Sequence, residues 1–115
     1  MQPPRILLVD DEASLAGLLQ RYLERVGYAV DTCGDAATAL ATVQPGRYAL
    51  VIADLTLPDM NGAQLVRELR ERDPGLAAVL TSGYPYEQRA DNVEFLQKPF
   101  QPKMLAQAIE RTLGR

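Results

Sequence analysis

The chain has 115 residues, a length that suits one domain and is too short for two that each bury a proper core. Hydrophobic residues make up 47% and charged residues 23%, which excludes the low-hydropathy, high-charge balance of a disordered chain. The net charge of -3 lacks the footprint of a nucleic-acid or anionic-membrane binder, and the absence of histidine excludes Ser-His-Asp, Cys-His and HExxH chemistry.

Apolar runs and helical patterns alternate along the chain. Ile6-Leu7-Leu8-Val9 is a continuous apolar run stopped by Asp10-Asp11-Glu12. Leu15, Leu18, Leu19, Tyr22, Leu23 and Val26 then recur with helical spacing, and Gly27 stands where a helix C-terminal cap belongs. Tyr28 to Cys33 reads as a second, more polar strand, and Asp35 opens a short Ala-rich helix (Ala36, Ala37, Leu40, Ala41) closed by Pro45-Gly46. Tyr48 to Ala53 is a third strand, apolar on both faces and followed by Asp54. A turn from Pro58 to Gly62 leads to a helix marked by Leu65, Val66 and Leu69, and Leu76 to Thr81 form the fourth strand. Gly83, Pro85 and Asn92 punctuate the stretch before a fifth strand, Val93 to Gln97. Met104, Leu105, Ala108, Ile109 and Thr112 line one face of a terminal helix.

Strands that are apolar without alternation are buried on both faces, as in a parallel sheet covered by helices on each side. The expected class is therefore α/β, a flavodoxin-like doubly wound sheet of order 2-1-3-4-5 forming a single domain over residues 1–115. Cys33, the lone cysteine, excludes an intrachain disulfide or a CxxC site and reads as a small core hydrophobe. No apolar run approaches the roughly 18 residues of a membrane span, and Met1 leads through Gln2-Pro3-Pro4 into a strand without a signal peptide, so a cytoplasmic location is expected.

In this topology ligands bind beyond the carboxyl ends of the strands, where the first and third lie side by side. Those strands end on Asp10-Asp11-Glu12 and on Asp54. Two unit charges about 4 Å apart repel by roughly 4 kcal/mol at an effective dielectric near 20, so clustered carboxylates need a partner. Oxygen-only donors at that density suit Mg²⁺ or Mn²⁺. The first-strand turn lacks GxGxxG and GxxxxGK[ST], which argues against a bound nucleotide. Strand four ends in Thr81-Ser82-Gly83 and strand five in Gln97-Lys98-Pro99-Phe100, which adds a hydroxyl and an ammonium to the same edge. Carboxylate nucleophile, cation, ammonium and hydroxyl are what phosphoryl transfer to a carboxylate requires, and Asp54 is the best nucleophile candidate.

Four segments, Ile6-Leu-Leu-Val-Asp-Asp-Glu12, Asp54-Leu-Thr-Leu-Pro-Asp-Met-Asn-Gly62, Thr81-Ser-Gly-Tyr84 and Phe95-Leu-Gln-Lys-Pro-Phe100, resemble in order the motifs of response-regulator receiver domains of two-component signalling. The last two are similar to receivers attached to hybrid histidine kinases. The resemblance spans Arg5 to Leu113. It implies that Asp54 accepts a phosphoryl group from a histidine kinase or histidine phosphotransfer domain. It further implies that Asp11, Asp54 and the Thr56 carbonyl hold Mg²⁺ directly and that Asp10 acts through water. Lys98 becomes the phosphate-binding lysine, and Ser82, which stands 28 positions beyond Asp54, becomes the switch hydroxyl in preference to Thr81. Phe95 stands at the family's rotameric aromatic, and Thr56 and Tyr84 lie where receivers modulate the lifetime of the aspartyl phosphate. Because these 115 residues carry no output module after Leu113, either a stand-alone receiver or a segment of a longer chain is expected.

Each of these residues also has a plainer reading. Asp11 and Glu12 can serve as helix N-terminal charges, Asp54 as a turn residue before Pro58, Lys98 as a surface lysine, Ser82 as a turn cap and Phe95 as core. Two other classes of function compete. A haloacid-dehalogenase-like phosphatase uses a similar residue set, but its DxD ends the first strand, whereas Asp54-Leu-Thr56 ends the third. A phosphorylation-independent docking module would keep the fold without the chemistry.

Two backbone expectations follow. The Lys98-Pro99 bond is predicted to be cis, because aiming Lys98 back at Asp54 from a strand end needs a tight turn, and the resemblance implies the same. Ser82 and Lys98 are only 16 positions apart, fewer than in most receivers, so the helix between strands four and five is predicted to be vestigial or missing. At most Tyr86 to Asp91 could be helical, with Tyr84 or Tyr86 covering the exposed sheet. In many receivers that helix, strand five and the last helix form the face that dimerises on phosphorylation, so a monomer is expected here.

Overall fold

The computed structural model describes residues 2–87 and 90–114. Five strands, β1 (Arg5–Val9), β2 (Ala29–Cys33), β3 (Leu50–Asp54), β4 (Ala77–Ser82) and β5 (Val93–Gln97), form one parallel sheet of order β2-β1-β3-β4-β5. Four helices flank it: α1 (Ala13–Arg25), α2 (Ala36–Thr42), α3 (Gly62–Arg72) and α4 (Pro102–Leu113). The doubly wound α/β expectation holds, as do the strand order and the exact span of β5. The second, third and fourth strands each begin one or two residues later than predicted, because Tyr28, Tyr48 and Leu76 pack into the core before their backbones join the ladder.

Strand geometry turns successive side chains to opposite faces, so the apolar runs feed two cores. Leu7, Val9, Val51, Ala53, Ala78, Leu80 and Val93 point into the layer under α2 and α3. Ile6, Leu8, Leu50, Ile52, Ala77 and Val79 point into the layer under α1 and α4 with Leu105 and Ile109. Each fully buried Leu or Ile contributes on the order of 1.5 to 3 kcal/mol, which is why the strands read as unbroken apolar runs.

The α1 stripe is narrower than its periodicity suggests. Ala16, Leu19 and Leu23 are buried and Leu15 and Tyr22 half-buried, whereas Leu18 and Val26 lie outside the stripe and are each 47% exposed. Met104 is likewise exposed on α4, where Ala106 takes a buried position instead. Cys33 is half-buried against the α2 side of the core, and burial pushes its thiol pKa up to about 11.

β4 and β5 are joined without a helix among the described residues 83–87 and 90–92. The expected helical limit of 86–91 includes residues 88 and 89, which lie outside the described residues. The ring of Tyr86 covers the vacant strip, packing 5.8 Å from the Phe95 ring at an interplanar angle of 55°. Tyr84 does not share that role, being 78% exposed. Arg70 of α3 steadies the connection by donating to the Asp91 carbonyl at 2.9 Å. Asn92 closes it at φ 59°, a left-handed conformation that Asn tolerates better than most residues.

Candidate functional site

Parallel pairing brings the carboxyl ends of β1, β3, β4 and β5 together. Val9 lies opposite Ala53, Asp54 opposite Thr81, and Ser82 opposite Gln97, so the next residues out, Asp10 and Lys98, reach the same edge. The Lys98-Pro99 bond is cis, as expected. Lys98 Nζ donates to Asp54 Oδ2 at 2.7 Å and to Asp10 Oδ2 at 3.2 Å. Burial draws the Lys98 pKa down, but the Asp54 hydrogen bond and the charges of Asp10 and Asp54 outweigh it, so Lys98 titrates above its ordinary value.

Asp10 and Asp54 are buried and Asp11 is exposed. Oxygens of all three lie within 4.8 Å of one another. Opposite ligands of an octahedral ion with bonds of about 2.1 Å are about 4.2 Å apart, so the three donors are nearly spaced for one hard cation. Three carboxylates against one ammonium also leave the edge short of positive charge. Backbone amides orient the oxygens: Glu12 N–H donates to Asp10 Oδ1 at 2.8 Å and Thr56 N–H to Asp54 Oδ1 at 3.0 Å.

The remaining expected residues occupy distinct positions. Ser82 is buried at the end of β4, and its Oγ accepts from Tyr84 N–H at 3.0 Å, which leaves its own proton available to donate. Thr56 is exposed beside Asp54, and the Tyr84 ring stands in solvent. Phe95 is half-buried, packed between the core and Tyr86. The geometry thus gathers Asp10, Asp11, Asp54 and Lys98 into one cluster, with Ser82 beside it and Phe95 and Tyr84 further out.

Asp59 in the β3–α3 loop and Gly62 at the start of α3 matter more than their sequence pattern suggested. A Cβ on Gly62 would sit 2.2 Å from the Asp54 carbonyl oxygen, so only glycine lets the loop return this close to the end of β3. Gly62 N–H donates to the Leu55 carbonyl at 2.9 Å, a β-bridge joins Thr56 to Asn61, and Asn61 caps α3 through Ala63 N–H at 2.7 Å. Asp59, read from sequence only as part of a turn, accepts from Ala36 N–H and Ala37 N–H at 2.9 Å each. Those two amides hold its carboxyl below the usual range. A bond across 22 or 23 residues leaves no local signal, and only the tertiary arrangement reveals it.

Residues 6–110 match the response regulator receiver domain. The chain belongs to the response regulator receiver family. Among relatives, the DNA-binding response regulator MtrA of Mycobacterium tuberculosis is 38% identical over 96% of this chain and 51% of its own length. The chain spans about half the length of the curated relatives it matches. Among solved structures, the receiver domain of the hybrid histidine kinase CckA is 31% identical with a TM-score of 0.84, covering 95% of this chain and 98% of that one. TrrA from Thermotoga maritima, solved in complex with Mg²⁺-BeF, is 30% identical with a TM-score of 0.83 and the same coverage of both chains. The protein is therefore a receiver domain of two-component signalling, a class that interacts with histidine kinases, and neither the phosphatase nor the docking-module alternative is favoured. No helix among the described residues is long and apolar enough to cross a membrane.

Proposed function

We propose that residues 1–115 act as one phosphoacceptor domain in which an Asp54 oxygen attacks the phosphorus of a phosphohistidine on a histidine kinase or histidine phosphotransfer domain. The new P–O bond forms as the P–N bond breaks. The observation that carries this reading is Lys98 Nζ bridging Asp54 at 2.7 Å and Asp10 at 3.2 Å beside the exposed Asp11. In the transferred state Lys98 neutralises one phosphoryl oxygen and the Ser82 hydroxyl donates to another. Asp10, Asp11, Asp54 and the Thr56 carbonyl would hold Mg²⁺ or Mn²⁺, which supplies charge neutralisation for the remaining oxygen. Ser82 and Phe95 form the switch that reports phosphorylation, while Thr56 and Tyr84 govern water access and so lifetime. The domain catalyses only its own phosphorylation and dephosphorylation.

Incubation with acetyl phosphate and Mg²⁺ followed by intact mass measurement tests the reading. The expected outcome is the mass gain of one phosphoryl group. Its absence would favour phosphorylation-independent docking.

The output is a protein contact or onward transfer of the phosphoryl group, made as a monomer and without direct nucleic-acid binding. On the face that many receivers use to dimerise, Glu94 of β5 and Arg111 of α4 satisfy each other within the chain at 2.9 Å, and no helix among the described residues precedes β5. Light scattering with and without a phosphoryl donor should return the monomer mass in both states. A phosphorylation-dependent dimer would contradict it.

A further inference from the structure

Asp59 carries a further carboxylate on the loop that follows Asp54, and no step of the phosphoryl transfer uses it. Resting on the proposed cation site, we infer that Asp59 is a positioning residue: by joining the β3–α3 loop to the first turn of α2 it fixes the Thr56 carbonyl for the cation and keeps its own charge away from Asp10, Asp11 and Asp54.

The first turn of α2 depends on Asp59 for its hydrogen bonds. The helix has seven residues, too few to persist by propensity, so its early amides need partners. Its N-cap Asp35 takes Thr38 N–H at 2.7 Å, and Asp59 takes both amides before it, Ala36 and Ala37, at 2.9 Å. The cap is thus split between a local residue and one 22 to 23 positions away. Ala36 and Ala39, both fully buried, seat the helix against the core, which makes it a fixed anchor.

The loop that Asp59 tethers is itself closed. Pro58 restricts its backbone, the Thr56–Asn61 bridge spans it, and Gly62 seals it against the Asp54 carbonyl. Leu55 N–H is bonded to the Thr81 carbonyl at 2.8 Å and Asn61 to the start of α3, so the base of the loop is held by β4 and α3. Its tip is hydrogen-bonded to α2 through Asp59. A shift at the tip passes through the bridge to Thr56, whose amide at 3.0 Å also orients Asp54 Oδ1. Partners behind metal ligands typically contribute 10- to 100-fold in affinity, and an exposed tether belongs at the lower end of that range.

Mn²⁺ titration of the full chain followed by electron paramagnetic resonance tests this without requiring phosphorylation. Asp59→Ala should weaken Mn²⁺ binding about tenfold and shift the Thr56 amide resonance in the metal-free protein. Asp35→Ala removes the local cap of the same helix and should leave Mn²⁺ affinity within about twofold, because the tether survives. Asp59→Asn retains an oxygen acceptor and should bind Mn²⁺ with intermediate affinity. Unchanged affinity in Asp59→Ala, or equal losses in Asp59→Ala and Asp35→Ala, would overturn the positioning role while leaving the cation site intact. Failure of the wild-type chain to bind Mn²⁺ would overturn the cation site itself and the inference with it.

Discussion

Two charged clusters on the same sheet are built to opposite ends. On the outer strand β2, Asp31 accepts from Tyr48 Oη at 2.7 Å and from Arg5 at 3.1 Å, with Arg47 lying over the Tyr48 ring at 5.6 Å. One carboxylate there faces two guanidinium groups and a phenol, and no further partner is needed. At the carboxyl ends of β1 and β3, three carboxylates cluster around one ammonium, which pairs with Asp10 and Asp54 but not with Asp11. The first arrangement ends its electrostatics within the chain. The second leaves negative charge unpaired within the cluster, which is the feature on which the proposed cation site rests.

The largest expected effect lies in the deficient cluster. Asp54→Asn keeps the volume and loses the nucleophile, so phosphorylation by acetyl phosphate should vanish from the intact mass. The same variant should be slightly more stable without metal. The repulsions from Asp10 and Asp11, at 4.8 Å or less, are of the same order as the Lys98 attraction at 2.7 Å, so removal of the charge should gain only slightly. Chemical denaturation of the apo protein checks it. A full adduct on the Asn variant would assign the nucleophile elsewhere.

Gly62→Ala attacks the same cluster through the backbone. A methyl 2.2 Å from the Asp54 carbonyl oxygen forces the loop or the strand end to move, at an expected cost of roughly 2 to 3 kcal/mol. Phosphorylation should fall along with stability, whereas Gly46→Ala, in open space, should cost only its positive-φ strain and leave phosphorylation unchanged. Thermal melts and adduct yields of the two variants make the contrast.

Mg²⁺ should raise the melting midpoint, because it binds the folded charge deficit and not the unfolded chain. With a dissociation constant near millimolar, about 10 mM metal stabilises by about 1.4 kcal/mol, roughly 5 to 10 °C at this size. The shift should shrink sharply in Asp54→Asn and persist in Asp31→Asn. An unchanged wild-type midpoint across that range would erase the difference between the clusters.

How much of this was legible in the chain depends on the range of the interaction. The buried strands and their ends follow from apolar runs that stop on polar residues, because period and termination are local properties, and the doubly wound topology then supplies the strand order and the edge that gathers Asp10, Asp54 and Lys98. The lack of a helix between β4 and β5 among the described residues was legible as a simple shortage of residues between Ser82 and Lys98. Leu18 and Val26 were placed inside because a stripe's centre cannot be fixed until its neighbours are known, and the core beneath α1 buries Ala16, Leu19 and Leu23 with Leu15 and Tyr22 at its margin. Asp59 and the Asp31–Tyr48–Arg5 group stayed hidden for a related reason: an acid far in sequence from its donors looks like any solvated acid.

The smallest expected effect belongs to the balanced cluster. The Tyr48 hydrogen bond, opposed by partial burial and reinforced by Arg5 and Arg47, holds the Asp31 carboxyl below its ordinary value. A depressed folded-state pKa adds stability that is present above the unfolded value near 3.9 and disappears as pH falls through the folded one. The side chain is 39% exposed, so solvent screening limits the contribution to at most about 1 kcal/mol. Asp31→Asn should therefore lower stability slightly at neutral pH and flatten the acid limb of the pH profile below about pH 4. Urea midpoints of both proteins between neutrality and about pH 3 would show the curves converging. A gap that stays constant across the range would mean that Asp31 acts through shape alone, and the contrast between a completed and an open charge cluster would lose its structural half.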